Sequence, residues 1–114
     1  MLKWKEYRAN VRKRVGDLGK AAPEVVKGYS ALATSGDKAV HLDGKTRELI
    51  ALAVAVTTRC DGCIASHVEA AVKFGATKEE ISEALGVAIA LNAGAALVYS
   101  ARVIDCFDEM SAGA

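Results

Sequence analysis

Apolar residues recur along this chain at three- and four-residue steps, the period of helices rather than of strands. Trp4, Tyr7, Val11, Val15 and Leu18 make one such face, with Gly16 and Gly19 weakening its end. Pro23 stands where a first helical turn tolerates it, and Val25, Val26, Tyr29, Leu32 and Ala33 follow at helical spacing. Thr34-Ser35-Gly36-Asp37 ends that helix, and a loop runs to Asp43, the predicted N-cap of a helix from about Gly44 to Arg59. Leu49, Ile50, Ala53, Val54 and Val56 cover more than one side of it, which predicts deep burial. The stretch Thr57 to Gly62 breaks the pattern, with Asp61 or a neighbour capping a helix that runs to Phe74, and Gly75 is placed as its C′ residue. Thr77-Lys78-Glu79-Glu80 reads as a capping box launching Ile81, Leu85, Val87, Ala88 and Leu91. Asn92-Ala93-Gly94 predicts a break, and Ala95 to Met110 a last helix. No segment alternates with the period of a strand, so the expectation is an all-α fold of about six helices.

Composition agrees. A chain of 114 residues fits one domain, 1–114, and its single proline and recurrent alanine favour helix. Residues 1–22 form a basic N-terminal helix with seven basic and two acidic side chains, which leaves the rest of the chain net acidic. A net charge of +1 gives no general reason to expect nucleic acid, and the basic stretch reads as a solvated face opposite an apolar stripe. The N-terminus lacks the apolar core and cleavage site of a signal peptide. Leu85 to Val98 is apolar but interrupted by Asn92 and two glycines, and shorter than the roughly 20 residues a membrane span needs. Three cysteines, an odd number without a secretory signal, argue against a disulfide framework. The expectation is a cytoplasmic protein outside the membrane. Helices apolar on more than one side need a partner, which predicts a homo-oligomer.

The chemistry concentrates in Cys60-Asp61-Gly62-Cys63-Ile64-Ala65-Ser66-His67. A Cys-x-x-Cys pair opening a helix meets unpaired amide N–H groups and the positive end of the helix dipole, which stabilise a thiolate. One sulfur can attack an oxidant or a disulfide, and the other can resolve the product into an intramolecular disulfide. His67 lies four residues beyond Cys63, one turn away on the same face, and can move a proton near neutral pH. Cys106 reads as a small buried hydrophobe, and His41 as a lone histidine that is simply hydrogen-bonded. Glu48 alone reads as a first-turn carboxylate favoured by the helix dipole. Zinc is the competing chemistry: Cys60, Cys63 and His67 are three ligands, with Glu48 or Cys106 as a fourth, yet the second separated ligand pair of a structural site is missing.

Glu48, eleven residues, then Cys60-x-x-Cys63-x-x-x-His67 resembles the signature of the alkylhydroperoxidase D-like (AhpD-like) branch of the carboxymuconolactone decarboxylase superfamily. Arg47-Glu48-Leu49-Ile50-Ala51-Leu52-Ala53 before the pair and Gly75-Ala76-Thr77-Lys78-Glu79-Glu80-Ile81 after it agree. The likeness covers roughly Pro23 to Phe107, a family-like core of 23–107, and the basic first helix lies outside it. The resemblance implies an AhpD-like helical fold assembling as trimers or hexamers. It also implies a peroxidase that reduces hydroperoxides through a dithiol–disulfide cycle of Cys60 and Cys63, with a Glu48–His67 proton relay. It implies no bound cofactor or metal, and re-reduction by an external thiol or a lipoyl-bearing protein.

Two departures stand out. The longer members of that branch carry a histidine between the cysteines, where this chain has Asp61-Gly62; a carboxylate beside Cys60 opposes the helix-end effect on its thiolate. The chain is also a single short repeat, so a neighbouring subunit is expected to complete its pocket. The alternatives are a carboxymuconolactone decarboxylase-type lyase, whose chemistry has no use for a cysteine pair, and a non-catalytic oligomer whose dithiol senses redox state or binds zinc.

Overall fold

The structure, a computed structural model, describes residues 1–113. Among them are five α-helices, one 3-10 turn and no strand: α1 (Trp4–Ala21), α2 (Pro23–Ala33), the turn Ser35–Lys38, α3 (Gly44–Thr58), α4 (Asp61–Lys73) and α5 (Lys78–Ala112). The all-α expectation holds.

The helix ends follow local chemistry. Pro23 opens α2, where its missing N–H costs no hydrogen bond. Asp43 caps α3, its carboxylate accepting the Thr46 amide at 2.8 Å. Thr77 and Glu80 exchange two 3.1 Å hydrogen bonds as a capping box at the start of α5. Gly75 supplies the left-handed conformation (φ 82°) that ends α4, and the Ala76 N–H reaches back to the Ala71 carbonyl at 2.9 Å.

Helix α3 occupies the centre, packed on α4 along one side and on α5 along another, while α1 packs on α2 and α4. The side chains that vanish from solvent are Leu52 and Ala55 of α3, Ala65 and Ala71 of α4, and Ala88 of α5. Four of these are alanines, which let the helix backbones come close with little side-chain volume between them. Lys45 and Glu80, 2.7 Å apart, tie the start of α3 to the start of α5. The Phe74 ring lies over Gly44, where a Cβ would collide with it.

Four expectations need correction. Asn92-Ala93-Gly94 does not break the chain: α5 runs unbroken for 35 residues, so there are five α-helices rather than six. Asn92 turns its side-chain amide onto the Ala88 carbonyl (2.7 Å) and the Thr57 hydroxyl of α3 (2.8 Å), which anchors the helix where a break was expected. An interior glycine such as Gly94 costs a helix only about 1 kcal/mol, too little to end it alone. The apolar run is therefore part of a helix long and apolar enough, by length and composition, to cross a membrane. Helix α3 is less buried than its apolar breadth predicted, with Ile50 and Val54 facing solvent, and Cys106 is free and exposed rather than buried.

The chain is open. Its radius of gyration is 19.2 Å, against about 13 Å for a compact domain of this length. Its accessible surface is 9141 Å², against about 6,000 Å² for a folded monomer of this mass. Much of the excess is apolar, including Leu97, Val98, Val103, Ile104 and Phe107 along the second half of α5.

Hydrogen bonds from Thr46 hold the Asp43 carboxyl below its ordinary value of 3.8. A carboxyl lowered on folding stabilises the fold above its unfolded pKa and loses that contribution as pH falls through the lowered value. Asp43→Ala should therefore lower Tm at neutral pH, with the gap to wild type narrowing once the pH is taken well below 3.8, whereas Asp43→Asn should keep the cap at both pH values. Melting curves at the two pH values test this; an Asp43→Ala gap that does not narrow on acidification sinks it.

Candidate active site

The turn between α3 and α4 determines where the cysteines sit. Arg59 ends α3 in the left-handed conformation (φ 55°), at a cost of roughly 1–2 kcal/mol for a residue with a Cβ. That reversal lets the Cys60 N–H bond the Ala55 carbonyl at 3.1 Å and starts α4 one residue later. Cys60 is the N-cap of α4, the place assigned from sequence to Asp61 or a neighbour. Its sulfur accepts the Cys63 N–H at 3.1 Å and is bonded to the Cys63 sulfur, with the two Cα atoms 5.2 Å apart. Both cysteines are half-buried.

Leu52 and Ala55, which bury α3 against its neighbours, lie one and two turns beyond Glu48 on the same helix face. On α4, the fully buried Ala71 lies one turn beyond His67, and Cys63 one turn before it. The crossing of α3 and α4 thus presents Glu48 to His67, with Glu48 Oε2 2.6 Å from His67 Nδ1. The Glu48 side chain is 16% exposed and that of His67 39%, so the carboxylate lies on the protein side and the imidazole on the solvent side. A carboxylate at Nδ1 accepts that N–H and leaves Nε2 as the basic nitrogen. Four residues singled out from sequence therefore stand on two adjacent helices: a hydrogen-bonded Glu48–His67 pair, and a cysteine pair opening the histidine's own helix.

Other residues fall elsewhere. His41 lies in the exposed loop before α3, and Cys106 on the outer part of α5. Among the described residues, no three His, Cys, Asp or Glu side chains converge as a metal-holding group. One neighbour of the site escaped the sequence reading: α1. Val11 touches the position where Gly62, between the two cysteines, would carry a Cβ (3.7 Å). Further along, Arg8 Nε meets Glu69 Oε2 at 2.8 Å, an ion contact sealed from solvent and not aligned as a hydrogen bond. The available signal was the stripe Trp4, Tyr7, Val11, Val15, which states that α1 must pack but not on what.

Comparison with known proteins places this all-helical scaffold in a family. The model of the carboxymuconolactone decarboxylase family matches residues 23–105, and the chain belongs to that family. An uncharacterized protein of Haemophilus influenzae is 51% identical over 109 residues, 96% of each chain. A protein of Paracoccus denitrificans, described as uncharacterized protein 4 in the cox locus, is 36% identical over 84% of this chain and 86% of its own. The crystal structure of an apo carboxymuconolactone decarboxylase family protein from Legionella pneumophila superposes with a TM-score of 0.73 at 38% identity, covering 94% of this chain and 96% of that one. A protein from Methanobacterium thermoautotrophicum gives 0.67 at 30% identity, over 74% of this chain and 94% of its own. The all-helical fold is that of the family.

Because the Cys60 sulfur caps α4, the two obvious substitutions should differ once the disulfide is removed from both. Cys60→Ser retains a capping atom and should be more stable than Cys60→Ala by about 1 kcal/mol in urea unfolding under reducing conditions. Equal midpoints would show that the atom at this position contributes nothing to the helix start.

Proposed function

We propose that this chain is a thiol-dependent peroxidase or disulfide reductase of the AhpD-like type, cycling Cys60 and Cys63 between dithiol and disulfide. The observation that carries the reading is the 2.6 Å Glu48–His67 contact on the helix that the cysteine pair opens. In the forward half of the cycle, His67 Nε2 takes the proton of a cysteine thiol while Glu48 holds the ring through Nδ1. The thiolate attacks the outer oxygen of a hydroperoxide, the O–O bond breaks, and the alkoxide leaves as an alcohol on taking a proton. The resulting sulfenic acid is displaced by the second thiol, releasing water and forming the disulfide. A disulfide substrate follows the same path by thiol–disulfide exchange. Re-reduction requires two electrons and two protons from an external dithiol, either a lipoyl-bearing or a cysteine-bearing protein. The family's lyase chemistry is the alternative, and it leaves the cysteine pair without a task. A non-catalytic redox sensor would keep the pair and lose turnover.

The working form in this reading is a cytoplasmic homo-oligomer, a trimer or hexamer. The surface in excess of a compact monomer, about 3,000 Å², is the size of an obligate interface. Helix α5 is read as an assembly helix rather than a membrane span, because Asn92, Ser100, Arg102 and Asp105 interrupt its apolar faces. Sedimentation should return three or six times 11.9 kDa, and a stable monomer would refute the assembly.

Mass mapping of thiols after one equivalent of an organic hydroperoxide tests the chemistry. Rapid formation of the Cys60–Cys63 disulfide with Cys106 still free is expected; thiols oxidising no faster than free cysteine would overturn the peroxidase. Cys60→Ser and Cys63→Ser should abolish cycling. Glu48→Gln and His67→Phe should slow it by about 10²-fold, partly recovered at high pH where thiols ionise without a base. Wild-type turnover in all four variants would remove the site.

A further inference from the structure

We infer that the basic solvent face of α1 is a docking surface for an acidic protein that carries the dithiol returning electrons to Cys60–Cys63. The inference rests on the dithiol–disulfide reading above and adds to it the surface and the charge of the donor. Helix α1 runs antiparallel to α4: Arg8 meets Glu69, and one turn later Val11 meets Gly62, between the cysteines. The remainder of α1 therefore passes the end of α4 that holds the disulfide and extends about 15 Å beyond it. Arg12, Lys13 and Lys20 are exposed there and, among the described residues, make no ion pair; Arg14 makes only an exposed 3.3 Å contact with Asp17. The positive end of the α4 dipole adds to this field, and Asp61 is the acid between the cysteines that opposes it.

Three arguments select the occupant. From Lys5 to Lys20 the cationic face spans about 22 Å, the scale of a protein surface rather than of a small hydroperoxide. Two of the chain's three cysteines form the disulfide and Cys106 stands alone on α5, so the electron pair must arrive from another molecule. A two-fold contact of this face with itself would set basic helix against basic helix, and the charge that complements the face is that of an acidic partner. In the docked complex a donor thiolate attacks one sulfur of Cys60–Cys63, forming a mixed disulfide and freeing one cysteine. The donor's second thiol then closes the donor disulfide and frees the other cysteine, two electrons and two protons having crossed.

The test uses the full chain, oxidised with diamide, and two synthetic Cys-Gly-Pro-Cys peptides, one in a glutamate-rich and one in a lysine-rich background. At low salt the acidic peptide should reduce the protein at least about tenfold faster than the basic one. The preference should vanish at about 0.5 M NaCl, where the screening length is about 4 Å. It should vanish equally in R12Q/K13Q/R14Q, while dithiothreitol reduces variant and wild type at one rate and circular dichroism shows both folded. No preference in the wild type, or one that persists in the variant, overturns the docking surface. Duplex DNA binding that the variant loses, with no preference between peptides, assigns the face to nucleic acid and overturns it as well. A charge-dependent reduction alongside failure of hydroperoxide to form the disulfide would leave the surface standing and the peroxidase fallen.

Discussion

The close crossing of α3 and α4 is the contact on which everything else in this molecule depends. It is made possible by small side chains: Ala55, Ala65 and Ala71 are buried where bulkier residues would hold the helices apart, and Leu52 fills the space beside them. The same faces that bury these residues carry Glu48 one turn upstream on α3 and His67 one turn upstream of Ala71 on α4. A shift of one residue in either helix would rotate Glu48 or His67 by about 100° and separate the pair. Packing and chemistry are therefore one constraint, read at neighbouring turns.

The turn at Arg59 and Cys60 makes that crossing tight. A left-handed arginine spends some stability on a two-residue reversal, and the Cys60 sulfur repays part of it by capping the helix it opens. Cys60 thus holds a structural and a chemical position at once. Its sulfur lies among backbone N–H groups at the positive end of α4, with the α1 stripe closing over Gly62 from the other side.

The rest of the chain is open. A radius of gyration of 19.2 Å and only five buried hydrophobic residues among the described residues do not describe a closed core. Helix α5 projects its second half away from α3, with aliphatic and aromatic side chains on several sides. The polar resources of the molecule are distributed oppositely: cations gather on α1, beside the Cys60–Cys63 disulfide, while apolar surface gathers on α5. That separation leaves an apolar face on α5 and a cationic one on α1.

Most helix boundaries were legible because they are set locally. The Asp43 cap, Pro23 at a helix start, the Thr77–Glu80 box and Gly75 at a helix end each act within one turn, and all four stand where the residues predicted. The Cys60, Cys63 and His67 spacing was legible for the same reason, since residues three and four apart share a helix face. What local rules misjudged was Asn92-Ala93-Gly94: its helix-breaking tendency is overridden by a hydrogen bond from Asn92 to Thr57, thirty-five positions away. Burial of Ile50, Val54 and Cys106 was misjudged because apolar character states that a side chain needs cover, not that this chain supplies it. The sequence by itself determined the helices, their ends and the register of the cysteines with His67. Only the tertiary structure decided that Glu48 reaches His67 at 2.6 Å and that α1 passes the disulfide, because contacts between helices depend on crossing geometry that no local period encodes.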